Sequence, residues 1–360
     1  MPPAAPASTN LRPVAWWLIA CAAMIFVMVV LGGATRLTQS GLSMVQWKPL
    51  TLLPPMSAEQ WQQEFAHYQL TPQFLKTNAW MTVEDFKEIF WLEYLHRLWG
   101  RMIGFAFLLP FVYFAAKRMI DRTLGWKLAG LFVLGGLQGA LGWFMVASGL
   151  ADRPSVSHYR LAAHLLSAFV LYGMIVWVAL DLFVADEDEV VNTDRGLART
   201  SLWIVAGVLL LVGAGALVAG LHAGLIYNTF PLMDGQLIPD GLSDLQPWWL
   251  NMFENVMTVQ FQHRLLAITL VAGIAAVWWR SRKLESPQAL AWANALLTMA
   301  FVQAALGITT LVLVVPLLVA LAHQAGALIL FTLAICFAHA VRVPRTDVQT
   351  SLSPATHPAE

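Results

Sequence analysis

The chain has little charge and almost no cysteine. Only 12% of its 360 residues are Asp, Glu, Lys or Arg and 58% are hydrophobic, whereas a soluble globular protein carries roughly 25% charged residues. This composition, with a mean hydropathy of +0.64, predicts an integral membrane protein. A formal net charge of zero gives no case for nucleic-acid binding. The two cysteines, Cys21 and Cys336, are far apart in apolar segments and do not suggest a disulfide or a redox pair. No Walker, Rossmann or zinc-hydrolase motif occurs, so nothing points to a nucleotide cofactor.

Eight apolar stretches are long enough to cross about 30 Å of hydrocarbon. They predict an all-α integral membrane protein with eight transmembrane helices. The expected spans are 14–35, 93–116, 126–147, 159–183, 201–222, 258–280, 289–313 and 316–339. The charged stretch at 185–199 lies midway and is the expected linker between two halves, 1–190 and 191–360.

The distribution of Lys and Arg sets the orientation of the chain, because cytoplasmic loops carry an excess of these residues. The outer loop at about 223–257 contains none. Both termini are therefore expected in the cytoplasm, as an even number of spans requires. The basic residues assigned to the cytoplasmic side are Arg12, Lys117, Arg118, Arg122, Lys127, Arg195, Arg199, Arg280, Arg282, Lys283, Arg342 and Arg345.

Four histidines recur at matched positions near the outer starts of spans two, four, six and eight. They are His96 and His164, 68 residues apart, and His263 and His323, 60 residues apart. Two further matches, Gln138-Gly-Ala-Leu-Gly142 with Gln303-Ala-Ala-Leu-Gly307 and His96-Arg97 with His263-Arg264, support an internal repeat. The pattern predicts two pseudo-symmetric four-helix bundles related by an axis along the membrane normal.

Each bundle is expected to present two imidazoles from diagonal helices at similar depth. An ionisable group inside the membrane is costly without a partner, and two facing imidazoles suit haem iron, with both bound or one kept for chemistry. The alternative is a set of packing histidines that bond the backbone or Ser and Thr. Four repeated positions favour the haem interpretation.

The residues beside these histidines differ between the halves. Glu93 lies three residues before His96 and on the same helix face, whereas Gln260 holds the matching position before His263. An acid can move protons and an amide cannot, so the first half is the expected reacting site and the second the expected holder of a structural or electron-transfer cofactor. The alternative is that Glu93 forms a salt bridge with Arg97 or Arg101.

Arginines cluster near the outer membrane edge, where they could pair with haem propionates or extend to lipid headgroups. They are Arg36, Arg97, Arg101, Arg160 and Arg264. The remaining histidines are not expected to bind iron: His158, His222 and His339 lie near helix ends, and His67 and His357 are expected to be solvated loop or tail residues. Tyr94, Trp99 and Trp143 are expected to pack helices.

An ordered set of motifs across the chain resembles the haem A synthase family, particularly its alphaproteobacterial and mitochondrial branch. The matching stretches are Thr35-Arg-Leu-Thr-Gln-Ser-Gly-Leu-Ser-Met44, Glu93-Tyr-Leu-His-Arg97, Tyr159-Arg-Leu-Ala-Ala-His164, Tyr227-Asn-Thr-Phe-Pro-Leu-Met233, Gln262-His-Arg264 and His323-Gln-Ala-Gly326. Some bacterial relatives carry a cysteine pair in the outer loops. This chain has none there, so a thiol-linked step is not transferred to it.

The resemblance implies oxidation of the C8 methyl group of haem O to the formyl group of haem A, which terminal oxidases require. It implies a haem b cofactor on His263 and His323, with His96, His164 and Glu93 serving the substrate; Arg36, Arg97 and Arg264 are the expected cofactor-binding arginines. Expected partners are haem O synthase (protohaem farnesyltransferase), oxidase assembly factors, an electron-transfer partner and a second copy of the chain. The expected location is the bacterial inner membrane, with the haem sites toward the outer face.

Two other functions compete with this interpretation. A membrane b-type cytochrome that carries electrons across the bilayer would stack haems at different depths, whereas these four histidines share one depth. A transporter built from parallel repeats would need helices broken at the midplane, and spans two, four, six and eight carry no such Pro-Gly break.

Overall fold

A computed structural model describes residues 10–46, 53–151, 154–184 and 194–342 of the chain. The described part is almost entirely helical, without a β-strand. Its α-helices are α1 (Arg12–Leu37), α2 (Ala58–Gln69), α3 (Val83–Ala116), α4 (Arg122–Ala151), α5 (His158–Phe183), α6 (Arg195–Gly220), α7 (Asn251–Glu254), α8 (Val256–Ser281), α9 (Pro287–Val312) and α10 (Leu317–Ala340). Short π-helical and 3-10 turns lie at Phe74–Asn78, Ala223–Leu225 and Trp248–Leu250.

Eight of these helices are long and apolar enough to cross a membrane: α1, α3, α4, α5, α6, α8, α9 and α10. The predicted all-α, multi-pass membrane fold is thereby confirmed. Pro110 lies inside α3, yet that helix continues through it. Most of the linker expected at 185–199 falls outside the described residues, as do Arg345 and His357, and the last five positions of that expected linker, from Arg195, already belong to α6.

The second span begins ten residues earlier than the sequence predicted, at Val83 rather than at residue 93. Thr82 caps this helix: its hydroxyl accepts a hydrogen bond from the Asp85 N–H, and the Asp85 carboxylate accepts one from the Thr82 N–H. Such a reciprocal cap satisfies two amide donors that a helix start leaves unpaired. His96 is consequently almost four turns into α3, whereas the other three histidines lie within the first two turns of their helices.

The extra turns of α3 support an outer lobe that hydropathy alone did not predict. The lobe packs α2, the π-helical turn and the start of α3 around a small aromatic core formed by Phe65, Tyr68, Phe74, Phe86, Ile89, Phe90 and Tyr94. Ser57 begins α2 with a second capping box, completed by Gln60. Helix α2 packs on α3, so this part of the first long outer loop lies against its own bundle.

The membrane helices contact one another in two similar rings. In the first half α1 contacts α3 and α5, and α4 contacts the same two helices; in the second half α6, α8, α9 and α10 repeat this pattern. The halves meet where α5 packs against α6 and α10 and where α1 packs against α10. Ring contacts there join Phe169 to Phe331, and Tyr172 shares a hydrogen bond with Thr332. The rings are compatible with two four-helix bundles; their superposition and the boundary between 190 and 191 stay predictions.

Candidate functional site

The four repeated histidines lie on α3, α5, α8 and α10, two in each half. Within each half the two imidazoles are close enough to interact electrostatically. Among the described residues no group of three or more His, Cys, Asp or Glu side chains could hold a metal ion. Each half instead offers a pair of imidazoles, a set of donors that would suit a haem iron.

Each of these imidazoles packs against a glycine of a neighbouring helix. A Cβ atom added to the glycine would lie closer to the ring than an ordinary van der Waals contact allows. The pairs and the Cβ-to-ring distances are Gly32 with His96 at 3.2 Å, Gly142 with His164 at 3.0 Å, Gly215 with His263 at 3.1 Å and Gly307 with His323 at 2.8 Å. The four helices that face the histidines thus leave room for the rings only because they lack a side chain there.

A glutamine holds the second histidine of each pair. The amide nitrogen of Gln138 lies 3.1 Å from Nδ1 of His164 and donates to the carbonyl oxygen of that residue at 2.8 Å. Gln303 makes the same two contacts with His323 at the same two distances. Because an amide NH2 group only donates, Nδ1 of each ring is the acceptor in this contact, and the contact fixes the orientation of the imidazole. The sequence showed both glutamines as a repeat motif, but not this role.

Glu93 is buried, at 2% exposure, and accepts three hydrogen bonds. Its carboxylate receives them from the Ser43 hydroxyl at 2.7 Å, the Met44 N–H at 2.8 Å and the Arg97 guanidinium at 2.5 Å. Arg97 also donates to the carbonyl oxygens of Met44 and Gln46. The pairing of Glu93 with Arg97, which the sequence left as an alternative, is therefore present, and together they fasten residues 43–46 to α3. The set of contacts that fastens residues 43–46 to α3 is called the first clasp below.

A second clasp in the other half fastens residues 226–229 to α8. Gln260 donates to the carbonyl oxygens of Ala223 and Ile226, and Arg264 donates to those of Tyr227 and Thr229. Tyr227 and Thr229 lie 183 positions after Met44 and Gln46, the residues that Arg97 holds. The repeat thus extends into the outer loops. The direction of these hydrogen bonds differs between the halves. In the first clasp the loop donates to the Glu93 carboxylate, whereas in the second the loop carbonyls accept from the Gln260 amide.

The other arginines near the outer edge have different surroundings. Arg160 stacks on the Phe144 ring and donates to the Phe144 carbonyl, which suits a role in packing. Arg36 lies in the last turn of α1 and close to His222; burial, and then this guanidinium, lower the pKa of His222. Nε of Arg264 is buried without a hydrogen-bond partner among the described residues. That N–H is a donor available to a carboxylate, as a propionate site requires.

The remaining singled-out side chains mostly occupy the expected places. Trp99 donates to the Met24 carbonyl at 2.8 Å and so packs α3 on α1. His339 is buried at the end of α10 and contacts Asp181. The expectation for His67 was wrong: it lies on α2 and contacts the Gln46 amide rather than standing free in a loop. Cys21 and Cys336 are buried free thiols.

The chain matches known proteins over most of its length. A sequence profile described as cytochrome oxidase assembly protein matches residues 15–335. A haem A synthase of Nitrosospira multiformis is 52% identical over 334 residues, which cover 92% of this chain and 94% of the relative. A haem A synthase of Parvibaculum lavamentivorans is 48% identical, with 92% and 94% covered. A haem A synthase of Arabidopsis thaliana is 46% identical, with 93% of this chain and 76% of the relative covered.

Proposed function

This chain belongs to the haem A synthase family, and from that premise we propose how its two halves divide one oxidation. The enzyme converts the methyl group at C8 of haem O to the formyl group of haem A. The first half, 1–190, binds haem O between His96 and His164. The second half, 191–360, holds a haem b cofactor between His263 and His323. The observation that carries this division is the exchange of Glu93 for Gln260 between otherwise matched sites.

The residues of the second half fit a resident haem. His263 and His323 present two imidazoles, Gly215 and Gly307 leave space for them, and Gln303 fixes one ring. Arg264 keeps a buried N–H available for a propionate. When bound, haem b supplies one-electron redox chemistry. No side chain at this site matches the acid of the first half, because Gln260 is neutral.

The first half supplies what a methyl oxidation needs from protein. His96 and His164 orient the substrate ring through its iron, and Gln138 fixes His164. With O2 as the oxygen source, protons are taken up to form water; with water as the source, the methyl carbon gives up hydrogen and protons must leave. Glu93 lies one helical turn from His96 and is the ionisable group suited to accept them. A positioned acid or base of this kind typically contributes about 10²–10⁴-fold.

Arg97 and Arg36 are proposed to neutralise propionates on the outer side, as Arg264 does in the second half. Arg97 has fewer donors to spare, because it already holds Glu93, Met44 and Gln46. Arg36, at the end of α1 in the first half, acts electrostatically on His222, which follows α6 in the second half. It is therefore placed to serve a propionate from either half.

The setting of the enzyme is the bacterial inner membrane, with both termini in the cytoplasm and the haem sites toward the outer face. The basic ends of α6 and α8 and the absence of Lys and Arg from 223–257 support that orientation. Haem O synthase is the proposed supplier of substrate, oxidase assembly factors the proposed recipients, and an electron-transfer partner exchanges electrons with the enzyme. A second copy of the chain is the proposed oligomer partner.

The activity is tested by producing the chain with haem O synthase in cells that lack their own haem A synthase. Haems extracted from the membranes are separated by chromatography. Accumulation of haem A, lost in His96→Ala and His164→Ala variants that retain haem b, is the expected result. Haem O alone in cells that make the unaltered protein would refute the assignment. A haem b signal without conversion of haem O would favour the electron-carrying cytochrome instead.

A further inference from the structure

A lipid-facing groove runs along the seam between α4 and α5 in the first half. It has a volume of about 300 Å³ and is lined by Leu134, Leu137, Gln138, Leu141, Ser167, Val170 and Leu171. Five of these seven side chains are aliphatic, and the two polar ones face each other: the Ser167 hydroxyl donates to Gln138 Oε1 at 2.5 Å. The groove is therefore apolar along its length, with its polar groups already paired.

The groove lies next to His164, a proposed ligand of the iron of haem O. Its polar member Gln138 is the residue that contacts Nδ1 of His164. On α5, His164, Ser167 and Leu171 are spaced by three and four residues and so share one face of the helix. From His164 to Leu171 this face extends about 10 Å deeper into the membrane, at 1.5 Å a residue.

The matching seam of the second half, between α9 and α10, is closed where the first is open. Gly326 takes the place of Ser167, and a Cβ built on it would collide with Gln303 and meet Met299 at 3.1 Å and Leu306 at 3.3 Å. Gln303 is accordingly buried, at 8% exposure. Gln138 on α4 is, by contrast, only partly buried. Two seams that share the glutamine and the histidine thus differ in the space beside them.

We propose that this groove binds the isoprenoid side chain of haem O, an inference that rests on the assignment of haem O to the first half. Haem O is the product of a farnesyl transfer, so it carries a long apolar chain that protohaem lacks. A porphyrin between His96 and His164 places its ring near the outer face and needs an apolar path for this chain. The seam below His164 supplies that path, and the closed α9–α10 seam does not.

Bilayer acyl chains are as apolar as the groove, so transfer from lipid alone gives little preference for the isoprenoid chain. The preference arises because the chain is tethered to a ring bound next to the groove, which raises its effective concentration there. The groove therefore distinguishes haem O from protohaem at the first site. It gives the second site, where Gln303 packs against Gly326, no such preference.

The test fills the groove from its lipid side. Val170 is 44% exposed on α5, and its counterpart on α10, Ile329, is 41% exposed, so Val170→Trp and Ile329→Trp form a matched pair. Leu134→Trp fills the opposite wall from α4 as a second variant. Each full-length protein, carrying its resident haem in lipid nanodiscs, is titrated with haem O and with protohaem, and binding is followed in the Soret region.

The expected result is roughly tenfold weaker binding of haem O to Val170→Trp and to Leu134→Trp, with protohaem binding changed less than about twofold. Ile329→Trp should bind both as the unaltered protein does, and the resident haem spectrum should be unchanged throughout. Equal losses for haem O and protohaem, or an equal effect of Ile329→Trp, would overturn the proposal, since the groove would then hold lipid or serve only packing. Unaltered protein that neither binds nor converts haem O would instead refute the proposed function.

Discussion

Replacing Glu93 with Gln should stop haem A formation and also loosen the first clasp. The matching position in the second half holds Gln260, which taken alone would suggest that Gln is tolerated at position 93. The contacts argue otherwise: Ser43 and Met44 point donors at Glu93, whereas Ala223 and Ile226 point carbonyls at Gln260. A Gln side chain at position 93 keeps one acceptor oxygen, but its NH2 group would face the donors of Ser43 and Met44 and could not accept from them.

The magnitude follows from burial of the ion pair. The side chains of Arg97 and Glu93 are 12% and 3% exposed, so the pair is little screened by solvent. Breaking a buried pair by removing one charge costs about 3–5 kcal/mol. Arg97 keeps its bonds to the Met44 and Gln46 carbonyls, which places the expected loss of stability at the lower end, about 3 kcal/mol. Haem A formation should fall by about 100-fold or more because the proton acceptor is gone.

Ser43→Ala is the matched control, since it removes one donor of the clasp and leaves the acid. It should cost about 1 kcal/mol and retain most activity. Both variants are assayed for haem O and haem A in cells, for the haem b spectrum and for thermal unfolding. Loss of activity in proportion to loss of stability across the two variants would make Glu93 structural. Unchanged haem A levels in Glu93→Gln would refute its role altogether, and loss of haem b would show that the clasp supports both halves.

Three further predictions concern the repeated site. Gly307→Ala should displace His323 and diminish the haem b spectrum, while Gly142→Ala should spare haem b and reduce haem A; Gly130→Ala, at an open position, is the control, and equal spectra in all three would contradict the role of the glycines. Gln303→Leu should weaken retention of haem b by about fivefold, because losing one hydrogen bond that orients the His323 ring costs about 1 kcal/mol, and Gln138→Leu should not; equilibrium transfer of haem b to a competing haem-binding protein measures this. An experimental structure should superpose the two halves about an axis along the membrane normal, with His96 on His263 and Gln138 on Gln303; an inverted repeat, or His96 and His164 facing lipid, would refute the symmetry.

The membrane helices were predictable because hydropathy reports burial in lipid directly. Their ends were less so, since a cap such as Thr82 with Asp85 extends α3 by ten residues into a polar region. The helix α2 and the aromatic lobe around Tyr68 were missed for the same reason. They are amphipathic elements on the outer side, held by packing against the extension of α3 rather than by lipid.

The site was predictable in its residues but not in its contacts. The spacing of His96, His164, His263 and His323 identified the pairs. The pairing of Gln138 with His164, and the packing of glycines on imidazoles, depend on helix rotation, which spacing does not supply. The clasps depend on loop conformation as well: Gln39 and His222, 183 positions apart, both take positive φ, at 59° and 54°, where the chain leaves α1 and α6. These turns bring the outer loops back onto Arg97 and Arg264.

The division of the two halves is tested most directly by the visible spectrum of four purified variants. His263→Ala and His323→Ala should lose the reduced haem b spectrum. His96→Ala and His164→Ala should retain that spectrum and yet form no haem A from haem O. Haem b lost with the first pair of histidines and kept with the second would contradict the account.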